Sequence, residues 1–179
     1  MPNWCECDVK ITGKRDDVAG LMRLMATDRS PFDFNAILPY PDRFARLDEV
    51  RRQWERSAEE ARKSGLDVVR TLGPMPQDGY NQGGYEWCYS TWGVKWPASD
   101  IAIVPLVAMN RDRARVTLSF QVPWSPPSPV MSALAARFPG IDIAMRCYER
   151  GQCFKTHEKW SGGTRQLATK AEYRGRRGG

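Results

Sequence analysis

The stretch "SFQVPWSPPSPVMSALAARFPG", Ser119 to Gly140, decides the fold. It closes the run "ARVTLSFQV", in which Val116, Leu118, Phe120 and Val122 alternate with Arg115, Thr117, Ser119 and Gln121. That period of two marks a strand with one buried face. Four prolines then fall between Pro123 and Pro129, and Val130, Leu134 and Phe138 continue at helical spacing until Pro139-Gly140 stops the helix. Ser128 is predicted to cap this helix, with Pro129 at its first position, where a missing N–H goes unnoticed. Pro126 and Pro129 also match the Pro-x-x-Pro spacing of a polyproline ligand. Set between two core elements, however, the segment reads as a strand-to-helix joint.

Working outward, "NWCECDVKITG" places Cys5, Cys7, Val9 and Ile11 on one side of a first strand, and Asp16 is predicted to cap a helix carrying Val18, Leu21, Met22 and Met25. Phe32 to Leu38 reads as a short extended segment between prolines. Asp42 then caps a helical insertion over about 42–64, with Phe44, Leu47, Val50, Trp54, Ala58 and Ala61 as its apolar stripe. A Gly/Pro-rich loop follows over about 73–84. "WCYSTWGVKW" is expected to be a strand or hairpin arm, and "IAIVPLVAM" a short helix or an irregular edge segment, because Pro105 lacks the N–H of a central strand. Ile141, Ile143, Met145 and Cys147 alternate in a last core strand, and "QCFKTHEKW" could add a short further one. The order predicts an α+β fold: a ferredoxin-like antiparallel sheet with helices on one face. One domain over 1–154 and a basic tail over 155–179 are expected.

The 179 residues carry a formal charge of +6, unevenly placed. From Lys155 onward there are seven basic residues (Lys155, Lys159, Arg165, Lys170, Arg174, Arg176 and Arg177) against Glu158 and Glu172, so most of the excess lies there. Few large apolar residues accompany them, and a solvated, disordered end is expected. Its cations could neutralise phosphates. No apolar run is long enough for a membrane span and no signal-peptide pattern precedes the first strand, so a cytoplasmic protein is expected.

Several stretches together resemble the YubB-like ferredoxin-domain family carried by phages and conjugative plasmids. They are "MPNWC" with "ITG", "FDFNAILPYP", "WGVKW", "WSPPSPV" with "FPG", and "YERG", in this order over roughly residues 1–151. Cys7 and Val94 depart from the family's pattern, where asparagine and threonine are expected. The resemblance implies a ferredoxin-like fold and a mobile-element origin; it implies no catalytic residue.

Chemistry is sparse. His157 is the one histidine, and no phosphate-binding loop or zinc-protease motif is present. Cys5, Cys7, Cys147, Cys153 and His157 could be imagined as a zinc set, but the first three fall in the alternating apolar pattern, where cysteine is a small hydrophobe; no metal or cofactor is expected. The open sheet face would show Glu6, Asp8, Lys10, Arg115, Thr117, Ser119, Gln121, Asp142, Arg146 and Tyr148. Its three acids and missing aromatic motif argue against RNA binding in the manner of an RNA-recognition motif. The leading expectation is a non-enzymatic phage or plasmid accessory protein that binds a host macromolecule through Trp92, Lys95, Trp96 and Trp124; that the target is a defence or nucleic-acid-processing complex is what the family resemblance implies. The alternative is a nucleic-acid-binding protein acting through the basic tail. An enzyme using Glu149, His157 and Lys95 is the third class.

Overall fold

The computed structural model describes residues 3–175. In chain order the elements are β1 (Trp4–Lys14), α1 (Arg15–Met25), α2 (Phe34–Ile37), α3 (Asp42–Lys63), α4 (Val68–Leu72), a 3-10 turn (Tyr80–Gln82), α5 (Gly84–Trp92), β2 (Ser99–Ala108), β3 (Arg113–Pro123), α6 (Ser128–Arg137), β4 (Ile141–Glu149), β5 (Phe154–Ser161) and β6 (Thr164–Glu172). The chain divides into two compact units, one of Met1–Pro39 with Tyr89–Gly179 and one of Tyr40–Cys88. No helix among the described residues is long and apolar enough to cross a membrane.

The larger unit is a six-stranded antiparallel sheet in the order β2-β3-β1-β4-β5-β6. Its first four strands with α1 and α6 form the ferredoxin-like α+β arrangement. The alternating pattern settles which face is buried: Cys5, Cys7, Val9 and Ile11 of β1 align with Val122, Phe120, Leu118 and Val116 of β3, and with Glu149, Cys147, Met145 and Ile143 of β4. All of these are buried, together with Leu21 and Met25 of α1 and Val130, Met131 and Leu134 of α6. Apolar burial of this kind contributes roughly 25 cal/mol per Å².

The basic segment from Lys155 is, over most of its length, a β-hairpin and not the expected tail. Phe154 and Trp160 at the two ends of β5 are buried, so period-two apolar anchors dock this strand beside β4. The Trp160 indole N–H also donates to Ser132 Oγ of α6 at 2.9 Å. β6 pairs with β5 from Phe154↔Glu172 to Ser161↔Thr164, turning at Gly162-Gly163, both with positive φ.

Other local expectations also change. Phe32–Leu38 contains the single-turn α2, because the Asp33 carboxylate accepts the Asn35 N–H at 2.9 Å and caps it. "WCYSTW" lies in α5: Cys88 and Trp92, four residues apart, are both buried, and Gly93 at φ +78° ends the helix. For "IAIVPLVA" the irregular edge segment holds and the short helix does not: it lies in the edge strand β2, and Pro105 falls where the register shifts between Val104 and Val107, so its missing N–H costs no ladder bond. α6 starts at Ser128 with Pro127 as its N-cap, and the Ser128 hydroxyl bonds Glu158 instead of capping. Asp16 and Asp42 lie in the first turns of α1 and α3, where a negative charge meets the helix dipole.

In the smaller unit, α3 buries Phe44, Ala58 and Ala61, while Leu47 and Val50 of the expected stripe stand exposed. Its charged side holds the Gly/Pro-rich loop in place: Asp48 accepts the Tyr80 N–H at 2.9 Å, and Arg51 donates to the Pro76 carbonyl at 2.9 Å.

Candidate nucleic-acid interface

The face of the sheet opposite α1 and α6 is built by strict alternation. Three rows cross it: Thr117, Lys10, Ala144, Lys159 and Leu167; Ser119, Asp8, Arg146, His157 and Thr169; and Gln121, Glu6, Tyr148, Lys155 and Ala171. Arg115 stands beside Thr12 in a fourth row that continues to Asp142. Neighbouring strands are about 4.8 Å apart, so cations from β1, β4 and β5 fall within one short band. A groove of about 370 Å³ is lined by Asp8, Lys10, Thr117, Ala144, Arg146, His157 and Lys159. It shares Arg146 and His157 with another of about 190 Å³, which adds Tyr148, Lys155 and Thr169.

The electrostatics of this face differ from those expected of four strands. Lys10, Arg115 and Arg146 are there balanced by Glu6, Asp8 and Asp142, and β5 adds Lys155 and Lys159. Asp142 pairs with Arg113 at 3.4 Å and accepts the Ser161 hydroxyl at 2.6 Å, and Glu6 lies 3.8 Å from Arg150. His157, in the middle row, reports the local field: partial burial and the positive charges of Arg146 and Lys159 hold its imidazole below its ordinary value of 6.5. At one end the Tyr148 ring packs on Tyr173, centroids 5.5 Å apart.

The residues singled out in the sequence scatter. Trp92 is core, 2% exposed, and its indole N–H donates to the Leu38 carbonyl at 2.9 Å, so it cannot serve as a contact surface. Trp96 is 36% exposed and meets Trp4, 38% exposed, edge to face at 6.3 Å; Lys95 lies over the Trp124 ring at 5.1 Å. Of the basic set, Lys155 and Lys159 reach the open face, and three others make contacts elsewhere. Arg165 pairs with the buried Glu158 at 2.9 Å, Lys170 covers the Phe154 ring at 4.4 Å, and Arg174 pairs with Glu172 at 2.6 Å. Arg176 and Arg177 lie outside the described residues. Glu149 is buried on the helix side, accepting the Gly151 N–H at 2.7 Å, while His157 faces the other way; the imagined acid-base set is not assembled. The imagined zinc set also breaks up: Cys5, Cys7 and Cys147 cluster in the core, Cys153 is exposed in a turn, and His157 is on the open face.

The proline joint is architectural. The Trp124 N–H donates to the Asn3 carbonyl at 2.9 Å, the Ser125 hydroxyl donates to the Gly93 carbonyl at 2.6 Å, and Gly151 leaves no room for a Cβ against Asn3. The stretches around Asn3, Gly93, Trp124 and Gly151 thus meet at one end of the sheet and brace it.

Comparison with known proteins fits this architecture. Residues 106–165 match the family model of the ferredoxin-like domain in Api92-like protein. The match covers about a third of the chain and takes in Arg115, Arg146, Lys155, His157 and Lys159 of the open face. The whole chain is similar in fold to the crystal structure of the protein api92 from Yersinia pseudotuberculosis, with a TM-score of 0.50 at 13% identity, over 99% of this chain and 100% of that one. No curated protein matches the sequence. The Api92-like match includes the whole of β5 and so reaches beyond the four-strand ferredoxin-like core.

Proposed function

We propose that the protein is a non-enzymatic, sequence-tolerant binder of single-stranded nucleic acid that uses the open face of its sheet. The observation that carries this is the placement of Lys155 and Lys159 of β5 beside Lys10, Arg115 and Arg146, which turns a balanced face into a positive one. Such a groove follows a phosphate backbone without reading bases, and a flat sheet suits an extended strand better than a duplex groove. The resemblance to proteins carried by phages and plasmids supports a role inside a host cell, at a nucleic acid that a defence or processing complex also uses. The experiment is fluorescence anisotropy with a labelled 20-nucleotide strand at 50 mM salt. Replacing both Lys155 and Lys159 by Glu abolishes binding on this reading, and replacing Arg165 and Lys170 by Gln leaves it intact. The opposite pattern would return the activity to a tail.

A second reading, a host protein as partner, is favoured by the exposed Trp4–Trp96 pair next to Lys95 and Trp124. Exposed indoles with a nearby cation are the composition of binding hot spots. Replacing Trp4 and Trp96 by Ala separates the two readings, since it should leave oligonucleotide affinity unchanged and remove a protein partner recovered from nuclease-treated lysate.

A further inference from the structure

The sheet brings three thiols together that the nucleic-acid reading does not use. Cys7 of β1 is directly opposite Cys147 of β4, and Cys5, two residues before Cys7, is on the same buried face. All three are closed to solvent. Residues two apart on a strand repeat at about 6.6 Å, yet the three Sγ atoms lie within 4.8 Å of one another. The Cys5 and Cys7 side chains therefore converge instead of standing parallel, and Cys7 and Cys147 are in direct sulfur contact at 2.7 Å.

We infer that Cys5, Cys7 and Cys147 form a three-sulfur site for a soft monovalent cation, Cu(I). Sulfur ligands about 2.3 Å from a central ion stand about 4 Å from one another in a trigonal plane. Reaching that triangle requires parting Cys7 from Cys147, which are closer than this at 2.7 Å. Among the described residues no fourth histidine, cysteine or carboxylate joins the cluster. The buried Glu149, opposite Cys5 on β4, is committed to the Gly151 and Gln152 N–H groups. Zinc asks for a tetrahedron, whereas an all-sulfur set of three selects Cu(I).

On binding, three copper–sulfur bonds form, the displaced thiol protons pass to buffer, and no oxidation state changes.

The test uses the full chain under anaerobic conditions, with Cu(I) supplied as its acetonitrile complex and bathocuproine disulfonate as competitor. The C88S/C153S double variant serves as background. Expected are one Cu(I) per chain, a near-ultraviolet thiolate-to-copper band, and a copper K-edge spectrum fitted by three sulfurs. Cys7→Ala or Cys147→Ala in that background should weaken binding by more than about 100-fold, above the loss that supporting residues alone produce. Copper left with the competitor overturns the site, as does a two-sulfur spectrum, undiminished binding in the alanine variants, or loss of binding in the background itself. Because the spectrum is read on the unmodified chain, an alanine variant that fails to fold does not spare the inference. A loss of two hydrogens on mass analysis, from a Cys7–Cys147 disulfide in the anaerobic protein, also overturns it.

Discussion

Replacing Trp160 by alanine tests whether the basic hairpin belongs to the sheet. The side chain is 1% exposed, sits opposite Ile143 in the β4–β5 register, and donates its indole N–H to Ser132 of α6. Truncating a buried tryptophan costs about 3–5 kcal/mol, and a lost hydrogen bond accounts for about 1 of these. At roughly 2–4 °C per kcal/mol for a chain of this size, the midpoint should fall by about 6–20 °C. Trp160→Phe keeps most of the ring and loses the donor, so a cost of about 1–2 kcal/mol is expected. Urea unfolding followed by circular dichroism gives both values, and amide exchange at Thr156 to Lys159 shows whether β5 is the part released. If Trp160→Ala costs less than about 1 kcal/mol and those amides already exchange freely in the unmodified protein, the hairpin is not docked. The positive open face would then be lost with it.

Four other expectations follow from the same geometry. Lys155→Gln with Lys159→Gln should reduce the slope of log affinity against log salt for single-stranded DNA by about 1.4, at about 0.7 per phosphate contact, and an unchanged slope would remove these lysines from the interface. His157 should titrate below 6.5 by NMR and move upward in Lys159→Gln or on adding an oligonucleotide, since both weaken the positive field; a downward movement contradicts the charge argument. The folded chain binds fewer protons here than the unfolded one, so His157 should lower stability as pH falls through about 6.5 toward its depressed value, measurable as a changed pH dependence of urea midpoints in His157→Gln. Trp92→Ala should cost about 3–5 kcal/mol by urea unfolding while Trp96→Ala costs less than about 1, and similar values would contradict the core assignment of Trp92.

Period-two alternation in β1, β3 and β4, with the proline joint before α6, made three strands of the ferredoxin-like order and the composition of their open face readable before any coordinates, whereas the second strand was placed in "WCYSTWGVKW" and not in β2. Those signals are local: each strand needs only its own alternation to choose a face. α5 was misread because a short run of aromatics suits strand and helix alike, and only the burial of Cys88 and Trp92 four residues apart selects the helix. The candidate site was harder to see. Composition suggested a tail from Lys155, although Lys155, His157 and Lys159 alternate with Thr156 and Glu158 as a strand does.

The amino-acid sequence by itself determined the ferredoxin-like order, the buried set and the excess of positive charge near the C-terminal end. The tertiary structure alone decided where that charge is displayed. Pairing β5 against β4 puts Lys155 and Lys159 beside Arg146, while Arg165 and Lys170 go to Glu158 and Phe154 on the other side. It likewise joined Cys5 and Cys7 to Cys147, 140 residues beyond Cys7. Alternation assigns a residue to a face, but only strand register brings distant residues together on it, and register is set by the fit of whole strands.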